Sequence, residues 1–352
     1  MTPFKFILAA TDFSAPANRA VRRAAMLARQ HGACLHVVHV VVPASRARLR
    51  GWFSPAIDLD LERAKARDTL HRLAADLTIR YGVAPVPEVR TGNVLDELQR
   101  ASGRADLVVM GQPRRSALAE MLLGSTAQRL VECSRRPVLV VKHMPRRGYR
   151  RALVPIDFTP ASEAAALVAA ALSNDIDLQV FHAFDSTGEV VMREADVSAA
   201  VIREHHLRQE VALMARMRRS MTRLGLDSHK LSFALGRGSP VKATLRQAQS
   251  INADVLVATK QRRGRMATSV LGRINSLLAR SRCDMLIVSG ALGESRPAQA
   301  VAAMRPVARA VRHAHQRAGH AHATGGTSWM RVQLPAEAFM AGQQGRPRRA
   351  GG

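Results

Sequence analysis

The chain has 352 residues, with 53 Lys or Arg against 27 Asp or Glu, a formal net charge of +26. This length suits two domains of about 150 residues plus an extension better than a single core. The charge favours polyanions such as nucleotides or nucleic acid as partners, although a high-GC genome also yields arginine-rich proteins. Three cysteines without CxxC spacing argue against a zinc site or a disulfide framework and favour a reducing, cytoplasmic compartment.

The first apolar run, in "FKFILAATDFS", covers only about five residues and is bordered by polar side chains. It is too short for a signal peptide or a membrane span, and no later run approaches about 18 apolar residues. We therefore expect no membrane association.

An internal repeat organises most of the chain. "FILAATDFS" at 6–14 returns as "ALVPIDFTP" at 152–160, and an alanine-rich helical stretch follows in both places. Three further pairs keep the same order and nearly the same spacing: 89–101 with 235–248, 105–111 with 253–259, and 135–142 with 282–289. The repeat unit is therefore a whole domain, and we predict domains at 1–147 and 148–290 followed by a tail at 291–352.

Short apolar runs alternate with longer amphipathic stretches in the first repeat. The runs at 6–9, 35–42, 107–110 and 138–141 are typical of strands buried on both faces. The stretch from Leu59 to Tyr81 has leucines at helical spacing with charges between them, which predicts a solvent-facing cover helix. We therefore predict two tandem α/β domains, each with a doubly wound parallel sheet.

The pattern stops after Ser289. Residues 291–352 mix Ala, Arg, Gly, Pro and His and contain few large aliphatic side chains, so we predict a mostly disordered basic tail with a short helix near 298–312. Its four clustered histidines have no predicted fold to fix their geometry, so we predict no metal site.

Candidate binding residues lie where strands end, because sites in open parallel sheets form at the carboxyl edge. Asp12 follows the first strand and can accept hydrogen bonds from ribose hydroxyls, while Asp12 or Ser14 can cap the next helix, with Pro16 in its first turn. For His39, beside Val40, we favour a core histidine whose hydrogen bonds are satisfied within the protein over a residue that contacts a nucleotide base.

The stretch "VMGQPRRSALAEMLLGSTAQRL" at 109–130 carries the remaining candidates. Gly111 ends a strand, where the missing Cβ permits close approach of a ligand. Gly124 and Ser125 open a helix, whose free N–H groups and positive dipole end favour an anion.

The repeat, "TDFS", "HVV" and this stretch together make the chain resemble the universal stress protein family over residues 3–290. The resemblance implies a five-stranded Rossmann-like, adenine nucleotide alpha hydrolase-like fold and, in ATP-binding members, the motif G-x2-G-x9-G-[S/T]. It assigns Gly111, Gly124 and Ser125 to that motif, with Arg114 replacing the middle glycine, and assigns ribose and adenine contacts to Asp12 and Val40. The full predicted ATP-binding set is Thr11, Asp12, Val40, Met110, Gly111, Arg114, Gly124, Ser125 and Thr126, with magnesium accompanying the nucleotide.

Arg114 leaves two outcomes open. A non-glycine residue with positive φ costs about 1 kcal/mol and adds bulk, which would weaken ATP binding. Alternatively, Arg114 and Arg115 could contact the phosphates themselves.

The second repeat departs further from the motif, with Thr259, Arg262, Gly272 and Arg273 at its four positions. We therefore predict a structural second half without nucleotide binding. The resemblance also implies pairing of the last strands of the two domains. We therefore expect the two domains to form an intramolecular pseudo-dimer, and the sequence leaves open whether the chain forms a higher oligomer.

Three functions compete. The first is a stress-response protein whose first domain binds ATP as a regulatory ligand. The second acts through unidentified protein partners or binds nucleic acid non-specifically, since aromatic residues make up only 4% of the chain. The third is an enzyme, but no Walker lysine motif, SGGxDS-type loop or nucleophile-base pair occurs, so we expect no catalysis.

Overall fold

The protein is described by a computed structural model covering residues 4–43, 59–112, 125–184, 192, 194–226, 230–260 and 267–290. In the first repeat the elements are β1 (Phe6–Ala10), α1 (Ala15–His31), β2 (Cys34–Val41), α2 (Leu59–Tyr81), β3 (Val86–Thr91), α3 (Val94–Ser102), β4 (Leu107–Gly111), α4 (Ser125–Cys133) and β5 (Val138–Val141). In the second repeat they are β6 (Arg151–Pro155), α5 (Pro160–Ala170), β7 (Asp177–Phe184), α6 (Ala199–Arg223), β8 (Leu231–Arg237), α7 (Pro240–Ser250), β9 (Val255–Lys260), α8 (Ala267–Arg280) and β10 (Asp284–Ser289).

The ten strands of the described residues form one sheet in the order β3-β2-β1-β4-β5-β10-β9-β6-β7-β8. Pairing is parallel within each repeat, and β5 pairs with β10 antiparallel. Strand order reverses between β1 and β4 in the first repeat. The predicted tandem α/β fold and the intramolecular pairing of the last strands are confirmed.

The four predicted strands of the first repeat are confirmed as β1, β2, β4 and β5, and the cover helix as α2. The prediction missed the edge strand β3, whose sequence "VPEVRT" mixes polar and apolar residues and is partly exposed throughout. An edge strand buries less surface than a central one, so it needs no continuous apolar run. The predicted tail lies outside the described residues.

One aspartate in each repeat fixes the start of the first strand. Asp106 Oδ2 accepts hydrogen bonds from the backbone N–H groups of Lys5 and Phe6, at 2.9 and 3.0 Å. Asp254 Oδ2 does the same for Arg150 and Arg151 in the second repeat, at 2.9 and 3.0 Å. The repeated "AD" in the sequence therefore has a structural reason, because each carboxylate accepts hydrogen bonds from backbone N–H groups at the amino end of a central strand.

Two layers of apolar side chains cover the two faces of the sheet, and each layer runs through both repeats. Leu139 and Leu286 belong to one layer, whereas Val138 and Ile287 belong to the other. Side chains alternate between the faces of a strand, so the pairing of β5 with β10 continues both layers across the junction. The two repeats belong to one compact unit.

A buried carboxylate joins the repeats on the α1 side. Asp284, at the start of β10, accepts hydrogen bonds from the phenol of Tyr149 at 2.6 Å and from the backbone N–H of Lys142 at 2.8 Å. Arg23 of α1 lies 3.8 Å from the same carboxylate, and its guanidinium stacks 4.1 Å from the Tyr149 ring. Burial raises the pKa of Tyr149 well above its ordinary value, so its O–H remains a donor.

The described part of the chain contains no helix that is both long and apolar enough to cross a membrane. All three cysteines are free; Cys34 is exposed and Cys283 is buried. Burial raises the pKa of the Cys283 thiol to about 11, which makes it a poor nucleophile.

Replacing Tyr149 by Phe removes one donor to the buried Asp284 carboxylate. We expect Tyr149→Phe to lower the free energy of unfolding by about 1.5–3 kcal/mol, the range for hydrogen bonds to charged groups. Urea unfolding followed by circular dichroism measures it. Tyr81, the other tyrosine of the chain, is the control: Tyr81→Phe at the end of α2 should change stability much less, and equal effects would contradict the role of Asp284.

Candidate functional site

A cleft of about 360 Å³ opens at the carboxyl ends of β1, β2 and β4, where strand order reverses. Five of the predicted residues line it together: Thr11, Asp12, Val40, Met110 and Gly111. Its volume lies in the range of small-molecule pockets, and its position is the one that open α/β sheets use for ligands.

The turn at the end of β1 presents Asp12 to the cleft. Asp12 Oδ1 accepts a hydrogen bond from the backbone N–H of Ser14 at 3.0 Å, and Ser14 Oγ caps α1 through the N–H of Ala17 at 3.3 Å. Between them, Phe13 has a positive φ of 62°. The second carboxylate oxygen of Asp12 has no hydrogen-bond partner in the described part of the chain, so it can accept from hydroxyl groups of a ligand.

The first turn of α1 also borders the cleft at this edge. Pro16 and Ala17 line the cleft, and the first turn of the helix contains no acidic residue. No carboxylate within that turn neutralises the positive end of the helix dipole, which therefore favours a nearby anion.

His39 is held by the protein itself. Its Nδ1 lies 2.9 Å from the carbonyl oxygen of Thr11, and its ring stacks on Phe13 with centroids 4.3 Å apart. In the second repeat His182 Nδ1 lies 2.7 Å from the carbonyl oxygen of Ile156, and its ring lies against Phe158 in a tilted arrangement. The predicted hydrogen bonding of His39 is therefore present, but the residue is part-buried and lines the cleft, so it is not a core residue.

Apolar side chains form the opposite wall of the cleft. Val38 and Val40 of β2 meet Val94 and Leu98 of α3, and Ala127 of α4 completes this wall. The sequence interpretation missed the three helical residues. A signal was present, because Asn93 caps α3 and Val94 and Leu98 are four residues apart on one helix face. The cleft therefore has an apolar wall beside a carboxylate.

Gly111 has a packing role that the sequence did not reveal. A Cβ on Gly111 would lie 2.5 Å from the carbonyl carbon and oxygen of Pro16 and 2.8 Å from the nitrogen of Ala17. The missing Cβ therefore lets the first turn of α1 approach β4. In addition to any contact with a ligand, Gly111 holds one wall of the cleft in place.

The structure does not place the side chains of the other four predicted residues. Arg114 and Gly124 lie outside the described residues. Ser125 and Thr126 begin α4, whose backbone is described from Ser125 onward. The structure therefore places the start of the helix beside the cleft, through Ala127, and leaves the role of the Arg114 substitution as a prediction.

The second repeat differs at the position of Val38. Val38 pairs with Ala10, and Phe181 pairs in the same register with Pro155. The Phe181 side chain is only 1% exposed and packs where Gly236 leaves room, since a Cβ there would lie 2.4 Å from the ring. A larger side chain thus stands at the strand position that lines the cleft in the first repeat.

Fold and cleft together define a duplicated α/β protein with a ligand-sized crevice in its first half. The profile of the universal stress protein family matches residues 3–142 and 148–289, so the chain belongs to this family and carries two copies of its domain.

Similar proteins agree with this assignment. A universal stress protein of Mycolicibacterium smegmatis is 31% identical over 193 residues, which span 52% of this chain and 65% of that relative. One from Thermus aquaticus is 35% identical over 144 residues, 40% of this chain and 99% of the relative. The crystal structure of a universal stress protein from Archaeoglobus fulgidus has a TM-score of 0.62 at 19% identity, covering 82% of this chain and 97% of that one. The similarity to the Archaeoglobus fulgidus structure supports the fold of this chain alone.

Gly111→Ala tests the packing role of this glycine. We expect a loss of about 1–3 kcal/mol in unfolding free energy, because the new Cβ meets backbone atoms that cannot move independently. Gly272→Ala is the control, since Gly272 lies in α8 with nothing within 4 Å of its would-be Cβ. It should stabilise the protein by about 0.5–1 kcal/mol. Thermal and urea unfolding measure both, and a neutral Gly111→Ala would contradict the close approach.

Proposed function

We propose that the first repeat binds one adenine nucleotide, ATP, as a regulatory ligand, and that the protein acts as a universal stress protein in the stress response. The observation that carries this proposal is the cleft at the strand-order reversal, which joins a carboxylate with a spare oxygen to an apolar wall. The adenine would lie against Val40 and Met110, the ribose hydroxyls on Asp12, and the phosphates toward the start of α4.

Differences between the two repeats support binding of one nucleotide per chain. The second repeat has Phe181 in place of Val38, Ile156 in place of Thr11 and Thr259 in place of Gly111. Each change enlarges a side chain or removes a hydroxyl at the corresponding edge. The second repeat then serves as a structural partner of the first.

Magnesium would enter with the nucleotide. The described residues contain no group of three or more His, Cys, Asp or Glu side chains that could hold a metal ion. Magnesium binds readily through substrate phosphates and water with few protein ligands, so the cleft is compatible with a magnesium-ATP complex.

We propose a binding role in preference to catalysis. Of the polar groups that line the cleft, Ser14 Oγ caps α1 and His39 Nδ1 contacts the carbonyl oxygen of Thr11. Neither group is paired with the other as a nucleophile and base. A phosphate-release assay with ATP should therefore give no turnover above a buffer control.

Asp12→Asn tests the nucleotide site without dismantling the turn. The amide oxygen can still accept from the N–H of Ser14, but the second oxygen becomes a donor group. We expect the Kd for magnesium-ATP to rise about tenfold or more, the equivalent of one charged hydrogen bond. Isothermal titration calorimetry measures the Kd and the stoichiometry.

Asp157→Asn, at the matching turn of the second repeat, is the control and should leave the Kd unchanged. If titration of the folded wild-type protein with millimolar magnesium-ATP produces no heat of binding, the proposal is wrong. A stoichiometry of two would show that the second repeat also binds.

The net charge of +26 supports a second candidate, non-specific binding of nucleic acid. Such binding rests on release of counterions from the phosphates, so log Kd should rise linearly and steeply with log salt concentration. Fluorescence anisotropy with a labelled RNA between about 50 and 200 mM salt measures the slope. Affinity that is independent of salt would exclude this mode.

A further inference from the structure

Two lysines, the buried Lys260 and the part-buried Lys142, reach across the junction between the repeats and hold helix ends of the opposite repeat. Lys260 Nζ donates hydrogen bonds to the carbonyl oxygens of Val131, Glu132 and Ser134, at the end of α4. Lys142 Nζ donates to the carbonyl oxygens of Leu278 and Ser281 at the end of α8, at 2.7 and 2.8 Å. Val131 corresponds to Leu278 in the repeat and Ser134 to Ser281, so both lysines bind equivalent carbonyl groups.

The two lysines nevertheless come from different positions of the repeat. Lys142 follows β5 and corresponds to Ser289, whereas Lys260 ends β9 and corresponds to Gln112. Lys260 therefore stands directly after Thr259, the position that matches Gly111. The second repeat carries a lysine at the start of its altered loop, and this lysine contacts the first repeat.

The helix that Lys260 holds is the one that borders the cleft. Ala127, in the first turn of α4, lines the cleft, and the three carbonyl groups bound by Lys260 lie at and just beyond the other end of the same helix. A helix of nine residues is only about 13 Å long. Displacement of its carboxyl end therefore moves its amino end, where the nucleotide phosphates are proposed to bind.

Several features make this contact strong. The Lys260 residue is 3% exposed, and three carbonyl acceptors match the three N–H donors of its ammonium group. Its positive charge also lies at the negative end of the α4 dipole. Removing the ammonium leaves buried carbonyl groups without this donor, so α4 loses a fixed anchor on the second repeat.

We propose that Lys260 is a positioning residue through which the second repeat sets the nucleotide affinity of the first. The inference rests on the proposed ATP site and assigns its regulation to the junction of the repeats. Preorganised binding groups lower the cost of ordering on binding, so a fixed α4 favours the phosphates. Any partner or modification that displaces Lys260 would weaken ATP binding from outside the cleft.

Lys260→Met tests the proposal, with Lys142→Met as the matched control. Methionine keeps the unbranched apolar stem of lysine and loses the donors and the charge. We expect Lys260→Met to raise the Kd for magnesium-ATP about fivefold or more, the lower range of measured couplings between sites, and to change the Kd for adenosine less. Lys142→Met removes the same kind of contact from α8 and should leave both Kd values unchanged. Isothermal titration calorimetry on the full chain gives both Kd values for each variant and for the wild type.

Amide hydrogen exchange without nucleotide supplies a second, independent measurement. Lys260→Met should accelerate exchange in residues 125–133, and Lys142→Met in residues 267–280. Should Lys260→Met fail to fold, Lys260→Gln, which keeps two amide donors without the charge, is measured by the same two methods.

Unchanged ATP affinity in the Lys260 variant would overturn the inference, as would an equal loss of affinity in Lys142→Met. Should the wild-type protein bind no ATP, the proposed function fails, and exchange in 125–133 then decides separately whether Lys260 anchors α4. Faster exchange there supports the anchor, and unchanged exchange rejects it.

Discussion

The antiparallel pairing of β5 with β10 is the interaction on which the rest of the molecule depends. Both strands are buried along their whole length, and each would otherwise be the unpaired edge of a five-stranded sheet. Their register continues both core layers from one repeat into the other. It also brings Asp284 to Arg23 and to the backbone N–H of Lys142, and it places Lys142 and Lys260 beside a helix end of the opposite repeat. Duplication thus supplies within one chain an interface that two separate domains would have to form by association.

Once the two repeats share a sheet, they are free to differ. The first keeps Val38 and Gly111 and retains an open cleft. The second has Phe181 and Thr259 at these positions and uses the same region for packing. The phenyl ring needs Gly236 beside it, so the change at one strand is matched by a change on its neighbour. One repeat can therefore carry a ligand site while the other contributes stability and, through Lys260, a contact to α4.

Sequence reasoning worked best where burial leaves a local pattern. The central strands appeared as apolar runs, Ser14 as a helix cap, and Thr11, Asp12, Val40, Met110 and Gly111 as strand-end residues that the fold brings together. It missed β3, because an edge strand needs no apolar run, and it missed Val94, Leu98 and Ala127. Those three side chains belong to helices that reach the cleft only because the chain crosses over the sheet. Neither their spacing nor their composition states which strand end they will face.

The sequence by itself therefore determined the duplication, the tandem α/β fold and the strand ends that form the candidate site, because repeats and burial periodicity are local properties of the chain. Tertiary structure decided what lies at long range: that Gly111 admits the first turn of α1, that Phe181 packs against Gly236, and that Lys260 binds carbonyl groups more than a hundred residues away. The physical reason is that a buried polar group needs partners in a definite geometry, and only strand pairing across the junction brings those partners within reach.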